Sequence, residues 1–91
     1  MAEQAELNLE LGRVEKVKEK LIKLMPTLPR PHNTSTLALY MGLWQGRDIT
    51  LKALWMLRSE GKVKHEVMRG WSWVHSAAEQ KARRELEELN R

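Results

Sequence analysis

The fold of this chain is decided by one stretch near its middle, ITLKALWMLRSEGKV (49–63). Its apolar residues recur at helical spacing and predict a helix over Ile49–Glu60, with Asp48 as the residue that caps its start. Gly61 stands directly after this helix, where a left-handed residue commonly ends one. Val63 then opens a run of alternating residues, which is typical of a strand. The stretch is thus a helix that leads at once into a β-strand.

A β-hairpin and a last helix are predicted after this stretch. The hairpin covers 62–75 and turns at Met68-Arg69-Gly70. Val63, His65 and Val67 are expected to share one face of the first strand, and Trp71, Trp73 and His75 one face of the second. Ser76 and Glu79 form a capping box, which predicts a helix over 77–90. The apolar stripe of that helix consists of Ala78, Ala82, Leu86 and Leu89.

Two helices and a stiff connector are predicted before the stretch. Residues 2–25 contain no proline and are rich in Glu, Lys and Leu, which favours a long N-terminal helix. Three prolines then end this helix and make 26–33 an extended connector. The polar run 33–36 offers N-caps for a second helix that ends near Gly46, and a tight turn follows at 45–48.

The composition is that of a single globular domain. The 91 residues are 42% hydrophobic and 31% charged, which argues against disorder. The chain has no cysteine and its three histidines lack metal-ligand spacing, so we predict no metal and no other cofactor. No apolar run reaches the length of about 20 residues that a membrane span needs, and the N-terminus is too acidic for a signal peptide. We therefore expect a cytoplasmic protein, associated with the nucleoid if it binds DNA.

Positive charge is concentrated in the middle of the chain. The whole chain carries 16 basic and 12 acidic side chains, a net charge of +4. Residues 47–69 hold six of the basic side chains against three acidic ones, a net charge of +3. An excess of this kind favours contact with a polyanion such as a nucleic acid.

The central stretch resembles the recognition helix and first wing strand of winged helix-turn-helix DNA-binding proteins. That family commonly shows Ala-Leu, a Leu three residues later, and then a polar turn followed by Gly, any residue and Val. These places are held here by Ala53, Leu54, Leu57, Gly61 and Val63. The resemblance covers about residues 34–76 and is at the level of the superfamily.

The resemblance implies both a fold and a function. The fold is mainly α with a short β-hairpin, one winged-helix domain over 1–91 in which 34–60 is the helix-turn-helix and 62–75 the wing. The function is sequence-specific binding of double-stranded DNA as a dimeric transcriptional regulator, with the third helix in the major groove and the wing on phosphates. The residues implied as DNA contacts are Arg47, Thr50, Lys52, Arg58, Lys62, Lys64, Arg69 and Trp71.

One departure from the family keeps a second function open. The third helix is apolar nearly all round, whereas a helix that reads bases carries several polar side chains. The alternative is a protein–protein interaction module on the same fold, in which this helix or the tryptophans of the wing dock a protein partner. Trp44, Trp55 and Trp73 are expected in the core, whereas Trp71 fits either the core or a DNA contact.

The apolar stripes of the first and last helices predict a homodimer, because a partly heptad stripe needs an apolar partner. The residues expected at the dimer interface are Leu7, Leu11, Val14, Val17, Leu21, Leu24, Leu86 and Leu89. Catalysis is not expected. The sequence contains neither a Gly-rich phosphate loop nor a Ser/His/Asp arrangement whose spacing would bring the three residues together, so we predict that the protein is not an enzyme.

Overall fold

The computed structural model describes the backbone of residues 2–42 and 46–90 and the side chains of 11–42 and 47–90. The elements along these residues are mainly helical, with one two-stranded antiparallel hairpin. They are α1 (Ala2–Leu24), a 3-10 turn (Met25–Thr27), α2 (Thr34–Tyr40), α3 (Gly46–Ser59), β1 (Val63–Glu66), β2 (Gly70–Trp73) and α4 (Ala77–Leu89). The predicted class, mainly α with a small β-hairpin, is therefore confirmed. Among the described helices, none carries an apolar stretch long enough to cross a bilayer.

The core forms where α1 packs across α3. Among the described side chains, one face of α1 contributes Val14, Val17 and Leu21 at helical spacing, and Met25 of the 3-10 turn continues it. They meet Leu37 of α2, Ala53, Leu54 and Leu57 of α3, and Val63 and Trp71 of the hairpin. From Val14 onward, the apolar stripe of α1 is thus covered within one chain.

This packing corrects most of the predicted dimer interface on α1. Val14, Val17 and Leu21 are at most 5% exposed, so a second copy cannot reach them without unfolding the core. Leu24 is half-buried against the same core, and Leu11 is exposed. Leu7 lies outside the described side chains. The sequence pattern showed correctly that α1 has an apolar face, and from Val14 onward that face packs on α3 of the same chain.

The region between α2 and α3 differs from the prediction. Asn33 caps α2, and its side-chain oxygen accepts a hydrogen bond from the Thr36 amide at 2.8 Å. The helix ends at Tyr40, earlier than expected, and Gly42 follows with φ +69°. Residues 46–48, predicted as a turn with Asp48 as a cap, are already helical in α3. Trp44 lies outside the described residues.

The end of α3 follows the prediction. Gly61 has φ +77°, in the left-handed region that glycine adopts without steric cost. The amide of Lys62 donates to the Leu57 carbonyl at 3.0 Å, and the amide of Gly61 donates to the Arg58 carbonyl at 2.9 Å. These hydrogen bonds satisfy two backbone carbonyls at the end of the helix, and the chain continues directly into β1.

The hairpin is shorter than predicted and is tied to the connector. β1 and β2 pair from Val63 opposite Trp73 to Glu66 opposite Gly70, so Val67 and His75 fall outside the strands. His32 and Trp71 exchange two backbone hydrogen bonds, of 3.0 and 2.7 Å, as an isolated antiparallel bridge. This bridge fixes the position of the hairpin relative to the start of α2.

Candidate nucleic-acid interface

α3 presents one flank to solvent and buries the other. Asp48, Lys52 and Trp55 are exposed and recur at i, i+4 and i+7, which places them on a single face of the helix. The opposite face is buried against α1 and α2. The apolar character of this helix, which left a protein partner as an alternative, is therefore largely accounted for by its own chain.

The hairpin lies directly beside the exposed flank of α3. The ring of Trp55 meets the ring of Trp71 edge to face, with centroids 5.6 Å apart. The imidazole of His65 also contacts the Trp71 ring, at an interplanar angle of 54° and with centroids 4.6 Å apart. An unbroken surface thus runs from α3 over Trp55 onto the hairpin. We call the exposed side chains Asp48, Lys52, Trp55 and His65, together with Arg47, the α3 surface.

A shallow cavity of about 300 Å³ opens at one end of this surface. Its lining residues come from the start of α2, the start of α3 and the hairpin: Asn33, Thr34, Ser35, Arg47, His65, Gly70 and Trp71. Arg47 and Ser35 are exposed and supply a guanidinium and a hydroxyl, both of which can donate to an anionic oxygen. The cavity therefore has the donors that a phosphate group requires.

The predicted cations of the hairpin are held in ion pairs. Lys64 and Arg69 both approach the carboxylate of Glu66, with N–O distances of 3.6 and 3.8 Å. Lys64 lies opposite Ser72 in the pairing, on the face of the hairpin that turns away from His65. There it lines a second cavity of about 240 Å³ together with Arg30, Arg69, Ser72 and His75. Partly exposed pairs of this kind are weak, so a phosphate can compete with Glu66 for both cations.

Two other predicted contacts lie near the end of α3. The guanidinium of Arg58 stacks 4.8 Å from the Trp55 ring centre, and its Nε lies 3.4 Å from a carboxylate oxygen of Glu87 in α4. Lys62 binds Glu60 at 3.3 Å, and Lys18 of α1 binds the other oxygen of the same carboxylate at 2.5 Å. Arg58 thus joins Trp55 of the α3 surface to α4, whereas the pair of Glu60 with Lys18 joins the end of α3 to α1 and Lys62 supports that pair.

The pKa of the Glu60 carboxyl is lowered by its surroundings. Partial burial of the Glu60 carboxyl acts to raise its pKa. The hydrogen bonds and charges of Lys18 and Lys62 together outweigh this effect and hold the pKa below its ordinary value. The carboxylate is therefore ionised at neutral pH and forms a structural link.

Two predicted DNA contacts are wrong as contacts. Thr50 is completely buried, because it shares the inner face of α3 with Ala53 and Leu54. Trp71 is 3% exposed, and its indole N–H donates to the Thr34 hydroxyl at 3.1 Å inside the protein. Neither side chain can reach DNA without rearrangement of the core. Trp71 belongs to the core.

Trp55 shows the opposite correction. It was expected in the core, yet 48% of it is exposed, on the same face as Asp48 and Lys52. Its spacing of seven and three residues from these two charged residues predicts that it shares their exposed face of the helix. By contrast, the approach of Ser35 and His65 to Arg47 joins three separate elements, and no local pattern indicates it.

The comparisons add no relative to this description: no family model, curated protein or solved structure matches the chain. The part of the chain that the structure describes also holds no group of three or more Asp, Glu or His side chains placed to bind a metal ion. The function is therefore inferred from the shape and charge of the α3 surface and the hairpin.

Proposed function

We propose that this protein binds double-stranded DNA as a sequence-specific transcriptional regulator with a winged-helix arrangement. The α3 surface would enter the major groove, and the hairpin would act as the wing beside it. The observation that carries the proposal is the continuity of the exposed flank of α3 with the hairpin through the contact of Trp55 with Trp71. A helix with a polar outer flank and a two-stranded ribbon at its side matches the dimensions of a groove and its adjoining phosphates.

The charges of this region support a nucleic-acid partner. Arg47 and Lys52 stand against Asp48 on the α3 surface, and Lys64 and Arg69 stand against Glu66 on the hairpin, so each part has a net charge of +1. Lys64 and Arg69 would exchange the carboxylate of Glu66 for phosphate oxygens. The cavity beside Arg47 would hold a further phosphate. Contacts of this type supply affinity that does not depend on base sequence.

Base recognition falls to the outer flank of α3 itself. Lys52 and Arg47 carry donors that suit the acceptor edge of guanine, and the carboxylate of Asp48 can accept from the amino group of cytosine. Trp55 offers an apolar edge, which suits the methyl group of thymine. Thr50 has no part in recognition, because it is buried.

Charge reversal with a matched control tests the proposal. We expect Arg47→Glu and Lys52→Glu each to weaken binding of a fluorescein-labelled duplex by about tenfold or more, measured by anisotropy at about 50 mM salt. Lys20→Glu, an equal change of charge at an exposed position of α1, should bind nearly as the unmodified chain does. Equal weakening by all three variants would mean that only net charge matters, and the α3 surface would be excluded as the site.

A protein-binding role remains the second candidate because of a specific observation. The tip of the hairpin exposes Val67 and Met68, at 84% and 100%, in addition to the exposed Trp55. Apolar side chains at a wing tip suit a protein surface better than phosphates. If no duplex binds at low salt, and Met68→Ser abolishes capture of a purified protein partner, this function replaces the first.

A further inference from the structure

α4 packs on the body of the protein with its polar face. Its half-buried residues are Gln80, Arg83 and Glu87, which recur at i, i+3 and i+7 and so define the inward side. The Gln80 side-chain amide donates to the Val74 carbonyl at 2.7 Å, and Glu87 pairs with Arg58 of α3. Polar contacts therefore set the orientation of this helix.

The backbones of α4 and the α3 end approach closely at one point. A Cβ placed on Gly61 would lie 2.0 Å from the Gln80 carbonyl oxygen and 2.8 Å from the Arg84 amide nitrogen. Only glycine permits this approach. Together with the bond from Gln80 to Val74, it fixes which side of α4 faces inward.

The apolar stripe of α4 consequently faces solvent. The stripe is formed by Ala78, Ala82, Leu86 and Leu89, all of them exposed. Leu86 is 60% exposed and Leu89 80% exposed. None of the thirteen residues of α4, all of which are described, is buried. A helix that turns leucines outward and polar groups inward is typical of a helix that a partner covers.

The charges along α4 indicate what that partner is. Among the exposed side chains, the half 77–84 contains Lys81 and Arg84 against Glu79, a net charge of +1. The exposed side chains of the half 85–90 include Glu85 and Glu88, a net charge of −2. An antiparallel copy of the same helix would place each positive half against a negative half. The side-chain sizes are complementary in the same arrangement, because the alanines of the stripe lie in the first half of the helix and the leucines in the second.

We propose that α4 pairs with α4 of a second copy of this chain, antiparallel about a two-fold axis near position 84. In this register Ala82 faces Leu86 of the second copy and Ala78 faces its Leu89. Lys81 lies beside Glu88 of the second copy, and two-fold symmetry repeats this ion pair. Glu85 stands next to its own copy at the axis. Each small residue thus meets a large one along a helix about 20 Å long.

The pairing deepens the proposed function, since two joined copies offer DNA two α3 surfaces at once. The observations that carry it, however, concern α4 alone, and its test contains no DNA. Failure of the pairing and failure of DNA binding are therefore distinguishable results.

Sedimentation equilibrium between about 5 and about 500 µM is the first test. We expect the unmodified chain to pass from monomer to dimer in this range and Leu89→Ser to shift the midpoint at least about tenfold upward. Leu39→Ser, a matched change at a residue of α2 that is 75% exposed, should leave the midpoint unchanged. A monomer at every concentration, or an equal shift by both variants, would overturn the proposal.

Charge exchange tests the register without altering the apolar stripe. Lys81→Glu and Glu88→Lys should each weaken the dimer, because each places like charges together. The double variant carries both changes and restores an ion pair of reversed polarity, so its dimer should recover. A double variant as weak as the sum of the single ones would exclude the register.

Single cysteines test the direction of the pair, because the chain has none of its own. Glu85→Cys should give a disulfide-linked dimer on mild oxidation, since the two thiols would stand beside the axis. Glu79→Cys should not, because two copies of position 79 would lie roughly 15 Å apart along the helices. Cross-linking of both variants would indicate a parallel pair, and cross-linking of neither would exclude the contact.

Discussion

α3 and α4 are both amphipathic helices, yet they face the protein in opposite ways. α3 buries its apolar face against α1 and α2 and turns a polar and aromatic flank outward. α4 buries no residue and turns its leucines outward. The difference lies in what orients each helix. Hydrophobic burial orients α3, whereas the approach at Gly61 and the bond from Gln80 to Val74 orient α4. A pattern of apolar residues therefore shows that a helix has two faces, and only its contacts show which face is turned inward.

The largest effect should come from the two tryptophans that meet at the outer flank of α3. Trp71→Ala removes a buried ring and its hydrogen bond to Thr34, and we expect the free energy of unfolding to fall by about 3–5 kcal/mol. Trp55→Ala should cost less than about 1 kcal/mol, because the residue is already 48% exposed. Urea denaturation measures both. Equal losses would mean that Trp55 is a core residue and that α3 has no outer flank.

The close contact of α4 with the end of α3 should show the next largest effect. Gly61→Ala places a side chain in the left-handed region and drives it into the backbone of α4, so we expect a loss of about 3 kcal/mol or more. Gly42→Ala carries similar backbone strain at φ +69° but meets no atom within 4 Å, and should cost about 1–2 kcal/mol. The difference between the two midpoints in urea isolates the contact with α4. If the two losses are equal, α4 does not pack as described.

A smaller change of opposite sign is expected on the inner face of α3. The Thr50 hydroxyl is buried and has no hydrogen-bond partner among the described residues. Thr50→Val removes this polar group at almost constant volume, so the free energy of unfolding should rise by about 1 kcal/mol. DNA affinity, measured by anisotropy, should stay unchanged. A fall in DNA affinity without a change in stability would indicate that Thr50 contacts DNA, against this account.

The smallest effect concerns the ion pairs that link the end of α3 to α1. Because the folded state lowers the pKa of Glu60, its carboxylate stabilises the fold at neutral pH, and this contribution is lost as the pH falls through that pKa. Glu60→Gln should therefore lower stability by about 0.5–1 kcal/mol at neutral pH. The difference from the unmodified chain should shrink once the pH falls below the ordinary pKa value of 4.5. Glu15→Gln, at an exposed position of α1, is the control. A difference that stays constant down to low pH would contradict the link.

Features set by neighbouring residues were predicted correctly from the sequence. The end of α3 at Gly61 and the capping of α4 by Ser76 each depend on a few consecutive residues, and both are found. The hairpin was likewise expected from alternation and from its tip. The end of α2 was missed, because Gly42 was placed inside a helix that stops before it.

Features set by distant contacts were predicted less well. Val14 and Val17 were expected to meet a second copy but pack on their own α3. Periodicity cannot distinguish these outcomes, because it specifies an apolar face without specifying its cover. The burial of Thr50 could nevertheless be predicted from the sequence. Thr50 stands three residues before Ala53 and four before Leu54, which places all three on the same buried face of the helix.

The most direct test of the DNA-binding proposal is the salt dependence of duplex affinity for the unmodified chain and for Arg47→Glu. If the α3 surface and the hairpin meet phosphates, log K for the unmodified chain should fall linearly with log salt, with a slope between about −2 and about −4. The slope for Arg47→Glu should be shallower by about 1. No binding at about 50 mM salt, or an affinity that salt does not change, would contradict the proposal.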